Sequence, residues 1–400
     1  MANPLRFSLP YTSKCVILKL HMDMDLTNNI LITCARGITP FLEQEVKELG
    51  FPVISSHATG LVTRGTFRDT YRLDLGLRTA FNVLFLLKEF RCVSAADLYN
   101  KTYQMLWDDI IPENEYISVV SQVSNPKIKN SMFANQKLKD AIVDRMVDRT
   151  GRRPNSGPDR RNIVINLYWK DDRAWLYVNT SGGKLADRGY RKIPLDAPMQ
   201  ETLAAAVLIA SGYTGSGTLV NPMCGSGTIA IEAALIALGK APGLLRSNYG
   251  FMHVKGHDEG YWQTLRKEAL RRSAKTTPHR IIATDIRKEA VDAAVKNART
   301  CGVDHLIDFD VCDFRDTPVP EGGGTVILNP EYGERMGEAE RLAATYKDIG
   351  DFFKQKCRGC SGFIFTGNLD LAKKVGLKAS RRIPFFSGDI DCRLLKYEIY

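Results

Sequence analysis

The chain has 400 residues, 44% hydrophobic and 25% charged, with a formal net charge of +10 and a pI near 9.1. This composition excludes a disordered or fibrous protein and supplies enough chain for two or three cores, while no apolar run approaches the ~18 residues of a membrane span. Nine cysteines without framework spacing point to a reducing compartment, the cytoplasm, and the basic excess leaves a nucleic-acid partner and an ordinary basic enzyme as level alternatives.

Residues 1–29 begin "MANPLRFSLPYTSKCVILKLHMDMDLTNN", whose short apolar core "VILKL" does not make a signal peptide. They are expected to form a loosely attached extension, with Met22 or Met24 as the start of translation. Residues 30–90 are a small α+β unit. A strand at 30–34 leads to a helix with Phe41, Leu42, Val46 and Leu49 on one face, stopped by Gly50. "TGLVTRGTF" alternates like a half-buried strand, and "TYRLDLGLRTAFNVLFLLKEF" runs from helix into strand.

Residues 91–195 form a second unit. "YISVVSQVSN" alternates as a strand, Ala141, Ile142, Arg145 and Met146 share a helical spacing, and "NIVINLYWKDDRAWLYVNTSG" is two strands about a turn at 170–173. Charge concentrates here: residues 126–161 hold ten Lys or Arg against four Asp. Lys127 and Lys129 open the run, and Arg152, Arg153, Arg160 and Arg161 bracket a Pro/Gly/Ser loop. A charge run is ordinarily a solvated face. This one is mixed with amides and confined to one unit, which favours an RNA or DNA backbone.

Residues 196–400 alternate strand and helix, with strands at 218–221, 280–285, 307–313, 325–329 and 362–367 and helices at 228–238, 288–300 and 339–356. That order predicts a parallel doubly wound sheet with ligands at the carboxyl ends of its strands. The closing segments "ASRRIPFF" and "CRLLKYEIY" have no helix between them and predict an antiparallel hairpin at the edge.

The strand ends carry the chemistry. In "VNPMCGSGTIAIEAA" (220–234) a strand ends at Asn221, and Gly225 and Gly227 let the backbone approach a ligand with no Cβ in the way. The third glycine of a dinucleotide fingerprint is missing, so the loop suits a nucleoside without phosphates, the bland alternative being a helix-capping turn. Asp285 ends the next strand, where a carboxylate accepts from both ribose hydroxyls or caps a helix. Asp313 ends the third, placed to accept from an adenine amino group or to cap a turn. About 60 residues separate the glycines from Asp285, against about 20 in dinucleotide folds. Together these ends favour S-adenosylmethionine over NAD and imply an insertion at about 240–279.

The fourth strand ends in "VILNPEYGER" (326–335). A base amine is a poor nucleophile because its lone pair is delocalised into the ring. Acceptors that hold both N–H bonds turn that pair outward, and the side-chain oxygen of Asn329 and the carbonyl of Pro330 are two such acceptors. Tyr332 offers a stacking face worth about 1–3 kcal/mol to a flipped or unpaired base. Alone the stretch is a turn; behind a nucleoside loop it is the base-holding end of a methyl-transfer site. No metal site is expected: Cys357 and Cys360 lack further ligands, and His253 and His257 read as loop residues.

"NPMCGSGTIAIEAA", "ATDIRKEAVDAAVKNA" and "NPEYGERMG" together resemble the guanine-N2 RNA methyltransferases that carry an amino-terminal THUMP domain, the large-subunit ribosomal RNA enzymes above all. The resemblance extends through "ITCARGITPFLEQEVKELG" and "RGYRKIPLDAPMQETLAAAVL" and covers residues 30–400. It implies a ferredoxin-like unit and THUMP domain for RNA capture, then a seven-stranded Rossmann-like class I methyltransferase domain. It places S-adenosylmethionine against Asn221, Cys224, Gly225, Gly227, Asp285 and Asp313, with residues 200–206 bordering it, and the target base against Asn329, Pro330 and Tyr332. Two positions depart from the family pattern: Asn221 replaces an acid and Glu331 replaces a second proline. The competing expectations are the same chemistry on tRNA, adenine-N6 methylation, and a non-catalytic RNA-binding assembly factor.

Overall fold

The computed structural model describes residues 25–125, 128, 130–193, 195, 198–332 and 339–400. The expected start at Met22 or Met24, and Lys127 and Lys129, lie outside the described residues.

The amino-terminal half comprises β1 (Asn28–Thr33), α1 (Thr39–Glu48), β2 (Ser55–His57), β3 (Gly60–Gly65), α2 (Phe67–Gly76), β4 (Asn82–Arg91), α3 (Ala95–Tyr103), β5 (Tyr116–Ser124), α4 (Ser131–Thr150), β6 (Asn155–Ser156), β7 (Ile163–Lys170) and β8 (Arg173–Asn179). Local sequence starts and stops these helices. Thr66 and Asp69 form a reciprocal capping box on α2, Asn130 caps α4, and Gly151 ends α4 at φ +70°. The two expected units share one eight-stranded sheet, ordered β2-β3-β1-β4-β8-β7-β5-β6. The join is β4, which pairs with β1 on one side and with β8 on the other, from Leu84↔Asn179 to Arg91↔Arg173.

The second half adds α5 (Glu201–Ser211), β9 (Leu219–Pro222), α6 (Thr228–Ala237), α7 (Glu259–Arg272), β10 (Ile281–Asp285), α8 (Lys288–Cys301), β11 (Ile307–Val311), β12 (Gly324–Leu328), α9 (Ala339–Lys356), β13 (Cys360–Thr366), α10 (Leu369–Lys373), β14 (Arg381–Ser387) and β15 (Ile390–Glu398). Its seven strands are ordered β11-β10-β9-β12-β13-β15-β14. Every pair is parallel except those made by β15, which runs antiparallel between β13 and the edge strand β14. The closing hairpin is therefore as expected, with its second strand inside the sheet. The chain leaves β9 toward β10 on one side and later returns to β12 on the other, so the carboxyl ends of β9 and β12 flank the topological switch point.

One apolar core runs through both halves, and the insertion at 240–279 helps join them. Tyr71 of α2 stacks on Phe251 with centroids 4.0 Å apart, and Trp262 of α7 packs edge-on to Phe251 at 5.0 Å. A Cβ on Gly243 would lie 2.6 Å from the Cα of Leu75, so only glycine permits that approach. A buried ion pair adds to the junction. Arg188 Nε lies 2.8 Å from Glu232 Oε1, the side chains are 2% and 0% exposed, and Arg188 Nη2 also donates to the carbonyl of Arg78. At the carboxyl edge Phe41 stacks on Phe385, and the guanidinium of Arg36 lies 4.2 Å over the ring of Phe386.

Candidate active site

The loop from β9 to α6 turns through left-handed backbone at Met223 (φ +56°), Gly225 (φ +56°) and Gly227 (φ +83°). The two glycines have different tasks. A Cβ on Gly225 would meet nothing within 4 Å, so its bare face opens onto free space. A Cβ on Gly227 would come 2.8 Å from the Cβ of Ala294, so Gly227 lets the loop close against α8. Cys224 anchors the loop from behind: its N–H donates to the carbonyl of Thr284 at 2.9 Å, and burial pushes its thiol up, leaving it an inert filler.

Asp285 ends β10 beside this loop and is 6% exposed. One carboxylate oxygen accepts from Gly225 N–H at 3.0 Å and the other from Arg287 N–H at 3.0 Å. Asp285 Oδ1 also lies 3.6 Å from Arg287 Nε, and each carboxylate oxygen has a lone pair beyond its backbone bond that can accept from a further donor. Asp313 differs. Its oxygens accept from Arg315 N, Nε and Nη2 at 2.9, 2.8 and 2.8 Å, and that guanidinium holds the carboxyl below its ordinary range. Of its two expected roles the structure displays the turn cap.

Two buried amide oxygens stand without a donor at the switch point. Asn221 donates Nδ2–H to the carbonyl of Ile327 at 2.9 Å, tying β9 to β12, while its Oδ1 has no partner. Asn329, one residue past β12, likewise has a buried Oδ1 with no partner. An unpaired buried acceptor costs about 1–3 kcal/mol, and native proteins leave few of them. Two stand at adjacent strand ends, where each can accept from a donor brought to the switch point. An acid at 221 would carry the charge that suits a cofactor's ammonium, yet it would have no hydrogen for Ile327. The amide keeps the link between strands and still presents an oxygen.

Pro330 is buried, and Tyr332 is half-buried over Gly367. A Cβ on Gly367 would lie 3.0 Å from the Tyr332 ring, and burial pushes the phenol up to about 12. Glu331 turns outward: its carboxylate lies 2.9 Å from Nη2 of Arg341 on α9, and the side chain is 68% exposed. Residues 333–338 lie outside the described residues.

The basic loop of the first half is divided. Arg152 pairs with Glu113 at 2.9 Å and Arg161 with Asp159, so their charge is partly met on the protein's own surface. Arg153 and Arg160 are exposed, with no ion-pair partner among the described residues. No group of three His, Cys, Asp or Glu suited to a metal ion occurs among the described residues. Cys357 and Cys360 are buried at the two ends of an exposed turn, and His253 lies between Glu115 and Asn248. No described helix is long and apolar enough to cross a membrane. Motif reading did not single out Arg191, Ser226 and Asn297, which join the linker at 188–193 to the glycine loop.

The strand order, the glycine loop on its first parallel strand and the acid on its second define a class I methyltransferase domain behind a ferredoxin-like and THUMP half. The chain belongs to the RMKL-like methyltransferase family, whose domain model matches residues 188–396; models of the THUMP domain and of the RlmL ferredoxin-like domain match residues 92–179 and 29–84. It is 36% identical over 386 residues to the ribosomal RNA large subunit methyltransferase K/L of Syntrophotalea carbinolica, covering 94% of this chain and 54% of that protein. It is 34% identical over 374 residues to slr0064 of Synechocystis, covering 94% of this chain and 97% of that one. The crystal structure of SMU.472 complexed with SAH matches 94% of this chain and 99% of that one with a TM-score of 0.84 at 26% identity. The chain spans about half the length of the K/L proteins it matches. These matches agree with the expected fold class and family.

Proposed function

We propose that this chain is a cytoplasmic S-adenosylmethionine-dependent RNA methyltransferase that modifies the exocyclic N2 of a guanine in large-subunit ribosomal RNA. The observation that carries this proposal is the pair of donorless amide oxygens on Asn221 and Asn329 beside the open face of Gly225 and the carboxylate of Asp285. The names of the K/L relatives, and the THUMP match in the basic half, support ribosomal RNA as the substrate.

The residues fit the cofactor. Asp285 accepts from the ribose hydroxyls, Gly225 gives the adenosyl group room, and the oxygen of Asn221 accepts from the ammonium group. When bound, the cofactor supplies an electrophilic methyl on a sulfonium. Asn329 Oδ1 and the carbonyl of Pro330 accept from the two N–H bonds of the base amine and turn its lone pair outward. Tyr332 stacks on the base, and Arg153 and Arg160 bind phosphate. No strong general base adjoins Asn329 among the described residues, so catalysis is chiefly positioning, and water takes the proton once the amine has become an acid.

The test is labelled methyl transfer by wild type and Asn329→Ala to ribosomal RNA and tRNA transcripts, with SAH affinity measured calorimetrically. Methylguanosine in large-subunit RNA, a rate loss of about a hundred-fold or more for Asn329→Ala and retained SAH binding are expected. Label only in tRNA would move the substrate. SAH binding with no transfer to any RNA would make the chain a non-catalytic RNA-binding factor.

A further inference from the structure

The linker between the two halves grips the cofactor loop at one residue. Arg191 donates from Nη1 to Ser226 Oγ at 3.1 Å, from Nη2 to the Met199 carbonyl at 2.8 Å and from Nε to Glu201 Oε1 at 3.1 Å. Ser226 stands between Gly225 and Gly227. Asn297 of α8 holds it from the other side, donating Nδ2–H to the Ser226 carbonyl at 3.2 Å while its Oδ1 accepts from Lys192 and Ile193 N–H at 2.9 and 3.2 Å. Ser226 and Asn297 are 6% and 1% exposed, and the Arg191 side chain is 15% exposed.

The same linker holds the helix that the loop opens. Arg188 and Tyr190 both bind Glu232, one turn into α6. Arg188 also binds the carbonyl of Arg78, whose own N–H donates to Glu45 of α1 at 2.8 Å. A path of hydrogen bonds joined by the linker backbone therefore runs from the ferredoxin-like unit through residues 188–193 to Ser226.

We propose that Arg191 is a positioning residue that presets the glycine loop for an adenosyl ligand and couples that ligand's affinity to RNA bound by the amino-terminal half. A Gly-Ser-Gly loop is permissive, so holding it in one conformation requires a grip from outside. Ser226 carries the only side chain between the two glycines, and Arg191 supplies that grip before the ligand arrives, removing part of the ordering entropy from binding. Because the linker also anchors the other half, RNA that settles the amino-terminal half settles the loop, and the effect is reciprocal. The inference rests on the cofactor and RNA reading above.

The test is SAH calorimetry on the full chain for wild type, R191M, R191K, S226A and R191M/S226A, with hydrogen exchange of the unliganded proteins. R191M should weaken SAH about ten-fold, R191K should recover part, and the double variant should bind no worse than R191M. Exchange at 224–228 should quicken in R191M while that of β10 and β12 holds. A large-subunit ribosomal RNA fragment should tighten SAH binding by wild type and not by R191M. Wild-type SAH affinity in R191M, additive losses, exchange rising through the whole sheet, or equal RNA tightening in both proteins overturns the inference. Failure of wild type to bind SAH overturns the cofactor reading instead.

Discussion

Asp74 of α2 is sealed where three segments meet, 1% exposed. Ser181, just past β8, accepts from Val83 N–H at 2.8 Å and donates its hydroxyl hydrogen to Asp74 Oδ1 at 2.5 Å. The hydroxyl of Thr180 also faces this carboxyl, and Arg246, from the insertion, donates to the Ser181 carbonyl at 3.0 Å. Burial outweighs the hydroxyl bonds and the nearby Arg246, raising the carboxyl from 3.8 to about 7. The folded state therefore keeps a proton that the unfolded chain releases near 3.8. Below both values the two states are equally protonated and the group makes no difference. As pH rises from about 4 to 7, the unfolded state alone gains from ionising, and stability falls by roughly 1.4 kcal/mol per pH unit, about 4 kcal/mol in all. Above 7 both states are ionised and the loss stays constant. Asp74→Asn keeps the acceptor for Ser181 and cannot ionise, so it should match wild type near pH 4 and exceed it at pH 8 by a few kcal/mol. Urea unfolding of both proteins at pH 5, 6, 7 and 8 measures this difference. Parallel stability profiles, or an Asn variant that is weaker at pH 8, would refute the reasoning.

The two glycines should separate. Gly227→Ala should lower the urea midpoint by about 1–3 kcal/mol of stability because its Cβ meets Ala294 at left-handed φ. Gly225→Ala, also at left-handed φ, should cost only the backbone strain of about 1 kcal/mol because its Cβ enters open space, and should weaken SAH affinity more; calorimetry set against unfolding distinguishes the two. At the buried pair, Arg188→Met should cost about 3–5 kcal/mol by leaving Glu232 charged in the core, and adding Glu232→Leu should restore much of that. A double variant as weak as the single would mean that Glu232 serves chiefly Tyr190.

The features legible in the sequence are those written locally. The alternation of short β-branched runs with amphipathic helices located the parallel strands within a residue or two, because apolar periodicity is set by each element's own geometry. The strand-end glycines, Asp285 and Asn329 stood out because each residue type there is rare in a core strand. Pairing between distant strands leaves no such mark, so nothing local announces that β4 joins two units into one sheet. Charge is only partly legible: Arg152 meets Glu113 39 residues away and Arg161 meets Asp159 two residues away, so the count of a run does not say how much of it is already paired on the surface. Asp313 carried two readings, and the one visible in the fold is the turn cap with Arg315 two residues on. Arg191 was not singled out because its partner Ser226 is 35 residues away and no local pattern links the two.

The insertion at 240–279 shows why a break in a motif's spacing is itself information. A loop added only to lengthen the chain would be exposed, yet Tyr249, Phe251 and Trp262 are buried to 1% or less. Phe251 and Trp262 pack on Tyr71, Tyr249 packs on both of them, and the backbone of 243 and 250 approaches α2 and β8 too closely for any side chain. Removing the segment would therefore strip apolar cover from both halves at once. The extra spacing between the glycine loop and Asp285 is occupied by structure that fixes one half on the other. That fixed placement lets a linker of a few residues act on Ser226, since a strap between bodies free to swing would transmit nothing.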